Sequence, residues 1–263
     1  MATARALKST SVKFGMVNIP LKLYKSVDSH DVSFKQHHAG CGGSIKMERY
    51  CEACEVKPVP FGDVIKGIDH DGTLVLVTAD EIKALESETP PAIEVVQFVD
   101  AGEIDPLTYE SAYYAAPDKT SLEGYTLLRT VLAETGRVGV VRFSLRAGRH
   151  SLGVLRASGD LLIVHTVAWP DEVREPAFPI LDKPVELKPA VLDMAHKLVD
   201  SMTGSFKPEE FVDTYTDRVK EFIAARAEGG EFIPSPAEAE DDVSDLLAAL
   251  EASIVKKAKK KAA

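Results

Sequence analysis

Four residues near the start of the chain have the types and spacing to hold a metal ion: His38-x2-Cys41 and Cys51-x2-Cys54, separated by nine residues. Two such pairs can wrap opposite sides of a tetrahedral zinc ion, and four protein ligands leave no open coordination position, so the expected ion is structural. Gly40, Gly42 and Gly43 supply the backbone freedom a tight knuckle needs. His37 competes with His38 for the fourth position but breaks the two-residue spacing; the alternative without a metal is three free thiols on a loop.

A second chemistry lies between Thr135 and Gly159, where five arginines (Arg137, Arg142, Arg146, Arg149 and Arg156) occur with no carboxylate. Alternation over 138–146 sends Val141, Phe143 and Leu145 to one strand face and Val140, Arg142, Ser144 and Arg146 to the other. Side chains on one strand face repeat about every 7 Å, a spacing suited to a phosphate backbone. The competing expectation is a solvated face whose cations pair with acids from 51–100. Near the C-terminus, Lys256, Lys257, Lys259, Lys260 and Lys261 form a polybasic arm suited to sequence-independent binding of nucleic acid, or else a solubilising tail. The remaining histidines, His30, His70, His150, His165 and His196, have no partner at ligand or catalytic spacing. Neither a nucleophile elbow, an HExxH motif, a phosphate loop nor a dinucleotide fingerprint occurs, so no enzyme is expected.

Short strands must carry most of these groups. Residues 12–24 place apolar side chains at Val12, Phe14 and Met16, then at Val17, Ile19, Leu21 and Leu23. That parity change predicts two strand pieces joined by a kink or bulge, with Pro20 favouring a sheet edge. Further strands are expected at 31–37, 44–50, 74–78, 93–99 and 112–116. A helix over 122–135 ends at Gly136, and a meander follows over 138–146, 151–156 and 161–167. From Pro189 the apolar period becomes helical as far as Gly204, and a second helix is expected to open at Lys207-Pro208-Glu209-Glu210. Residues 234–242 read as a linker and Val243–Val255 as an amphipathic stretch.

The 263 residues, 45% hydrophobic and 27% charged, are enough for one large domain or two modest ones. The formal charge of −10 argues against nucleic acid only as a total, because it is segregated: residues 1–50 carry +5 and residues 51–100 carry −8. The chain has no apolar run long enough to span a membrane, and Arg5, Lys8 and Lys13 interrupt its beginning where a secretory signal would be apolar. A reducing, cytoplasmic setting is the expectation.

Near its start the chain carries the block Phe14-Gly-Met-Val-Asn-Ile-Pro-Leu-Lys-Leu-Tyr24. There follow His30-Asp-Val-Ser-Phe34, Arg49-Tyr-Cys-Glu-Ala-Cys54, Glu103-Ile-Asp-Pro106, Ser111-Ala-Tyr-Tyr-Ala-Ala-Pro-Asp-Lys119, Glu134-Thr-Gly-Arg-Val-Gly139, Pro170-Asp-Glu-Val-Arg174 and Phe206-Lys-Pro-Glu-Glu-Phe211. The first block is similar to the opening signature of prokaryotic Ku, the DNA-end-binding family of non-homologous end joining, and the others resemble its further blocks in family order. The resemblance implies a mainly β fold with α-helices: a β-barrel core whose inserted arch closes a ring around duplex DNA in a homodimer, followed by C-terminal helices. On that basis residues 1–186 are the core, 187–230 a helical arm, and 231–263 the linker, amphipathic segment and lysine tail. It further implies no intrinsic catalysis, recruitment of an ATP-dependent DNA ligase to the loaded end, and a place at the nucleoid. The zinc expectation rests on spacing in this chain alone. A zinc-stabilised protein-interaction scaffold, its arginines facing an acidic partner, is the alternative; a nuclease would need a carboxylate metal cluster that the sequence lacks.

Overall fold

The computed structural model describes residues 5–85, 92–145 and 150–229. They form two compact units: residues 5–29 with 35–175, and residues 30–34 with the chain from 176. The first unit is built on a closed barrel of seven strands: β1 (Lys8–Phe14), β2 (Val17–Lys25), β5 (Ile93–Asp100), β6 (Tyr109–Pro117), β7 (Arg137–Ser144), β8 (His150–Ser158) and β9 (Leu161–Val167). The order around the barrel is β1-β2-β6-β9-β8-β7-β5. Closure is made by the one parallel contact, Val12 beside Ile93.

Alternation explains the barrel's filling. Val12, Leu21, Leu23, Ile93, Val141, Phe143, Leu155, Leu162 and Val164 are fully or almost fully buried in one cluster. Each side chain of this size contributes about 1.5–3 kcal/mol on burial. Gly153 is part of the same packing: a Cβ there would stand 2.5 Å from the His165 carbonyl oxygen and 2.7 Å from the Phe143 ring, so only glycine admits that ring.

The parity change at Met16–Val17 is a hairpin, not a kink. Phe14 pairs with Val17 across a two-residue turn whose Gly15 has φ 58°. Pro20 does not mark a sheet edge, because β2 is paired on both sides; it lies where the β6 pairing ends, and its carbonyl accepts from the Ser121 hydroxyl at 2.6 Å. The meander forms as expected.

Helix α2 (Leu122–Thr135) packs on the barrel through Tyr125, Leu128 and Leu132 and stops at Gly136, whose φ is 65°. The Tyr125 hydroxyl donates to the Ala115 carbonyl and accepts the Leu162 N–H, each at 2.7 Å. Ala115 and Leu162 are cross-strand partners, so this one hydroxyl ties the helix to both strands.

Between β2 and β5, residues 26–85 lie outside the barrel strands. They include a hairpin of β3 (Lys66–His70) and β4 (Thr73–Val77) turning at Asp71-Gly72, then α1 (Ala79–Leu85). Ile68, Leu74 and Leu76 of the hairpin are exposed. The strands expected at 31–37 and 44–50 do not form; a single bridge joins His37 to Ser44, because tight turns between them divert the backbone from a ladder.

The second unit contains α3 (Pro189–Met202) and α4 (Thr214–Ala227). The Lys207–Glu210 start signal yields only a single 3₁₀ turn, and α4 opens later, at Asp213, whose carboxylate accepts from the Tyr215 and Thr216 N–H groups. His30 lies 2.8 Å from the same carboxylate. Leu192, Val199, Met202, Phe206 and Phe211 are exposed. Among the described residues no helix is long and apolar enough to cross a membrane.

Candidate nucleic-acid interface

Alternation along β7 points Val141 and Phe143 into the barrel, so Arg142 lies on the outer sheet face with Val140. Cross-strand pairing places Leu152 opposite Arg142. Arg156 lies four residues further along β8 on that same outer face, about 13 Å away along the sheet. Arg142 and Arg156 therefore share one sheet face on adjacent strands, with Val154 of a second buried apolar cluster between Leu152 and Arg156.

Each is held by a neighbour invisible in the local sequence. Arg142 lies 3.9 Å from the Glu94 carboxylate, both about half exposed. The Arg156 Nε–H donates to His165 Nε2 at 3.0 Å. Burial, and then the Arg156 charge, push His165 below its ordinary pKa, which keeps its imidazole neutral and able to accept. The Tyr109 ring meets His165 edge-on, with centroids 5.0 Å apart. His165 has no partner at ligand or catalytic spacing in the sequence; the Ser158–Leu161 turn brings Arg156 to it, since Arg156 pairs with Ile163 and His165 with Val154.

Arg137 points elsewhere. It shares parity with Val141 and lines an apolar groove of about 290 Å³ with Phe14, Phe98, Leu127 and Val131, on the α2 side of the sheet. Its guanidinium is 3.7 Å from Asp100. The absence of carboxylates from 135–159 thus does not leave the arginines unpaired: β5 brings Glu94 and Asp100 alongside β7, in register with Arg142 and Arg137. Pairs this exposed are worth about 0–1 kcal/mol, weak enough for a phosphate to compete. Arg146, Arg149, Lys256, Lys257, Lys259, Lys260 and Lys261 lie outside the described residues.

The candidate metal ligands sit in the excursion between β2 and β5. His38 Nδ1 is 3.2 Å from Cys41 Sγ. Cys51 is half-buried, and the Cys54 N–H, the Cys54 thiol and the Ala53 N–H hold its pKa below the ordinary thiol value. His38 and Cys41 are thus in contact. Among the described residues no three His, Cys, Asp or Glu side chains converge closely enough to share an ion.

A family model for the Ku70/Ku80 beta-barrel domain matches residues 13–194, spanning all seven barrel strands apart from the start of β1. The chain is 43% identical over 261 residues to the Non-homologous end joining protein Ku of Mycolicibacterium smegmatis, covering 95% of this chain and 81% of that one. It is 41% identical over 265 residues to the protein of the same name from Mycobacterium tuberculosis, covering 97% and 96%. It is also 38% identical over 252 residues to Protein Ku of Mycobacterium phage Omega, covering 95% and 86%. A closed barrel with α2 packed on it, matched along most of its length by the family model and by full-length relatives, means that this chain belongs to the Ku family.

Proposed function

We propose that this protein binds the ends of double-stranded DNA in non-homologous end joining, as a non-catalytic, ring-shaped homodimer that recruits an ATP-dependent DNA ligase. The observation that carries the proposal is the near end-to-end similarity to proteins named for non-homologous end joining. The fold supports it in three ways. Residues 26–85 lie outside the barrel strands between β2 and β5, a place from which an encircling arch can extend. Arg142 and Arg156 offer the guanidinium groups that sequence-independent phosphate contact requires. Within each unit, exposed apolar side chains such as Ile68 and Leu74, or Leu192 and Val199, supply surface for a second copy. Ligase recruitment and a nucleoid location follow from the family resemblance.

A preformed ring must be threaded from an end. Gel shifts should therefore give strong binding to linear duplex and little to covalently closed circles at physiological salt, with light scattering reporting a dimer. Equal affinity for relaxed circles and linear duplex of the same length would refute the ring; binding to neither, by a well-folded dimer, would favour the protein-interaction scaffold.

A further inference from the structure

Spacing alone suggested a metal at His38, Cys41, Cys51 and Cys54, and the backbone adds an independent argument. The two tetrads fold into the same turn although one begins with histidine. In the first, the His38 N–H donates to the carbonyl five residues on, Gly43, at 2.8 Å; in the second, the Cys51 N–H donates to the carbonyl five residues on, Val56, at 3.1 Å. The residue after the second ligand is left-handed in both, Gly42 at φ 69° and Glu55 at φ 59°. Glycine takes that conformation without cost; a glutamate does not, so the second turn is not a default of glycine content.

Side-chain geometry agrees. The 3.2 Å between His38 Nδ1 and Cys41 Sγ is within a few tenths of the roughly 3.5 Å edge between nitrogen and sulfur of a tetrahedral zinc site. His37, the rival, has its Nδ1 engaged by the Gly42 carbonyl at 2.9 Å, an outer contact that braces the first turn. We propose that the two turns are the halves of one structural zinc site, ligated by His38 Nδ1 and the thiolates of Cys41, Cys51 and Cys54. The ion draws the two halves together and so fixes the fold of residues 36–59, a stretch that has no strand ladder and exposes most of its side chains. Three thiolates and one imidazole are a closed set, so the ion has no catalytic position. This inference is independent of DNA binding.

All three cysteines of the chain lie in the proposed site, so thiol chemistry on the full-length wild-type protein reads it directly. Protein purified under reducing conditions without chelator should carry about one zinc per chain by elemental analysis. A mercurial that blocks the three thiols should release that zinc stoichiometrically to a metallochromic dye. Cobalt should replace it with the absorption of a tetrahedral thiolate site. Cys51→Ser and His38→Ala should fall below about a tenth of an equivalent, whereas His37→Ala should retain the metal. Wild-type protein that holds no zinc and takes up no cobalt would overturn the site, as would zinc that stays bound after all three thiols are blocked. Zinc lost from His37→Ala but kept in His38→Ala would overturn the ligand assignment.

Discussion

The sharpest test of the proposed DNA surface is the double variant Arg142→Gln, Arg156→Gln. The two residues lie on one sheet face with their backbone positions about 13 Å apart along it, far enough for each to neutralise a different phosphate. Loss of two phosphate contacts should reduce the slope of log K against log salt by about 1.8, since each contact contributes about 0.9. Between 50 and 200 mM salt that difference amounts to about a twelvefold change in the ratio of wild-type to variant affinity. Loss of Arg142 should change stability little, because its pair with Glu94 spans 3.9 Å between groups 53% and 52% exposed, whereas loss of Arg156 also ends its hydrogen bond to His165. An exposed pair of that kind contributes about 0–1 kcal/mol. Two single variants sharpen the design. Glu94→Gln releases Arg142 and should tighten binding at low salt, whereas Arg137→Gln, on the α2 side, should leave the slope unchanged. The assay is fluorescence anisotropy on a short linear duplex across a salt series, with melting curves recorded in parallel. A folded double variant with the wild-type slope would refute this surface. A variant that aggregates, with affinity per folded molecule unchanged, would show instead that these arginines serve the barrel.

Three further outcomes follow from individual contacts. Tyr125→Phe should destabilise the first unit by about 2–3 kcal/mol in urea unfolding, since it strips a partner from the Leu162 N–H and the Ala115 carbonyl in a buried setting. His165 is harder to protonate folded than unfolded, so below an unfolded value of about 6.5 the unfolded chain takes up more protons. Stability should therefore fall as pH drops through the range below 6.5, and His165→Gln should flatten that dependence in melting curves. Deleting Lys256–Ala263 removes five lysines and should lower affinity and salt sensitivity while keeping the preference for linear over circular duplex; lost preference in a folded truncation would assign end selection to the tail.

Features in which short-range periodicity decides the outcome are legible along the chain. The 137–167 meander, α2 with its Gly136 stop, and α3 are visible as period-2 and period-3.6 patterns, because burying one face of a strand or helix constrains every second residue or every third and fourth. The two proposed ligand pairs are equally local in spacing, since His38 and Cys41, or Cys51 and Cys54, lie within one turn. Helix α4 was displaced from its sequence signal because two caps compete over a few residues, and Asp213, which satisfies two N–H groups, wins over the Pro208 turn.

Neighbours across strands, by contrast, are set by the folded arrangement. Glu94 and Asp100 lie more than thirty residues from Arg142 and Arg137, and no pattern in 135–159 announces that β5 will pair with β7. The same pairing divides the arginines, turning Arg142 outward and Arg137 toward α2. His165 becomes the acceptor for Arg156 only when β8 folds back on β9. Backbone hydrogen bonds that build a sheet are indifferent to side-chain identity, so the sequence specifies which residues face inward, while the strand order decides which charges meet.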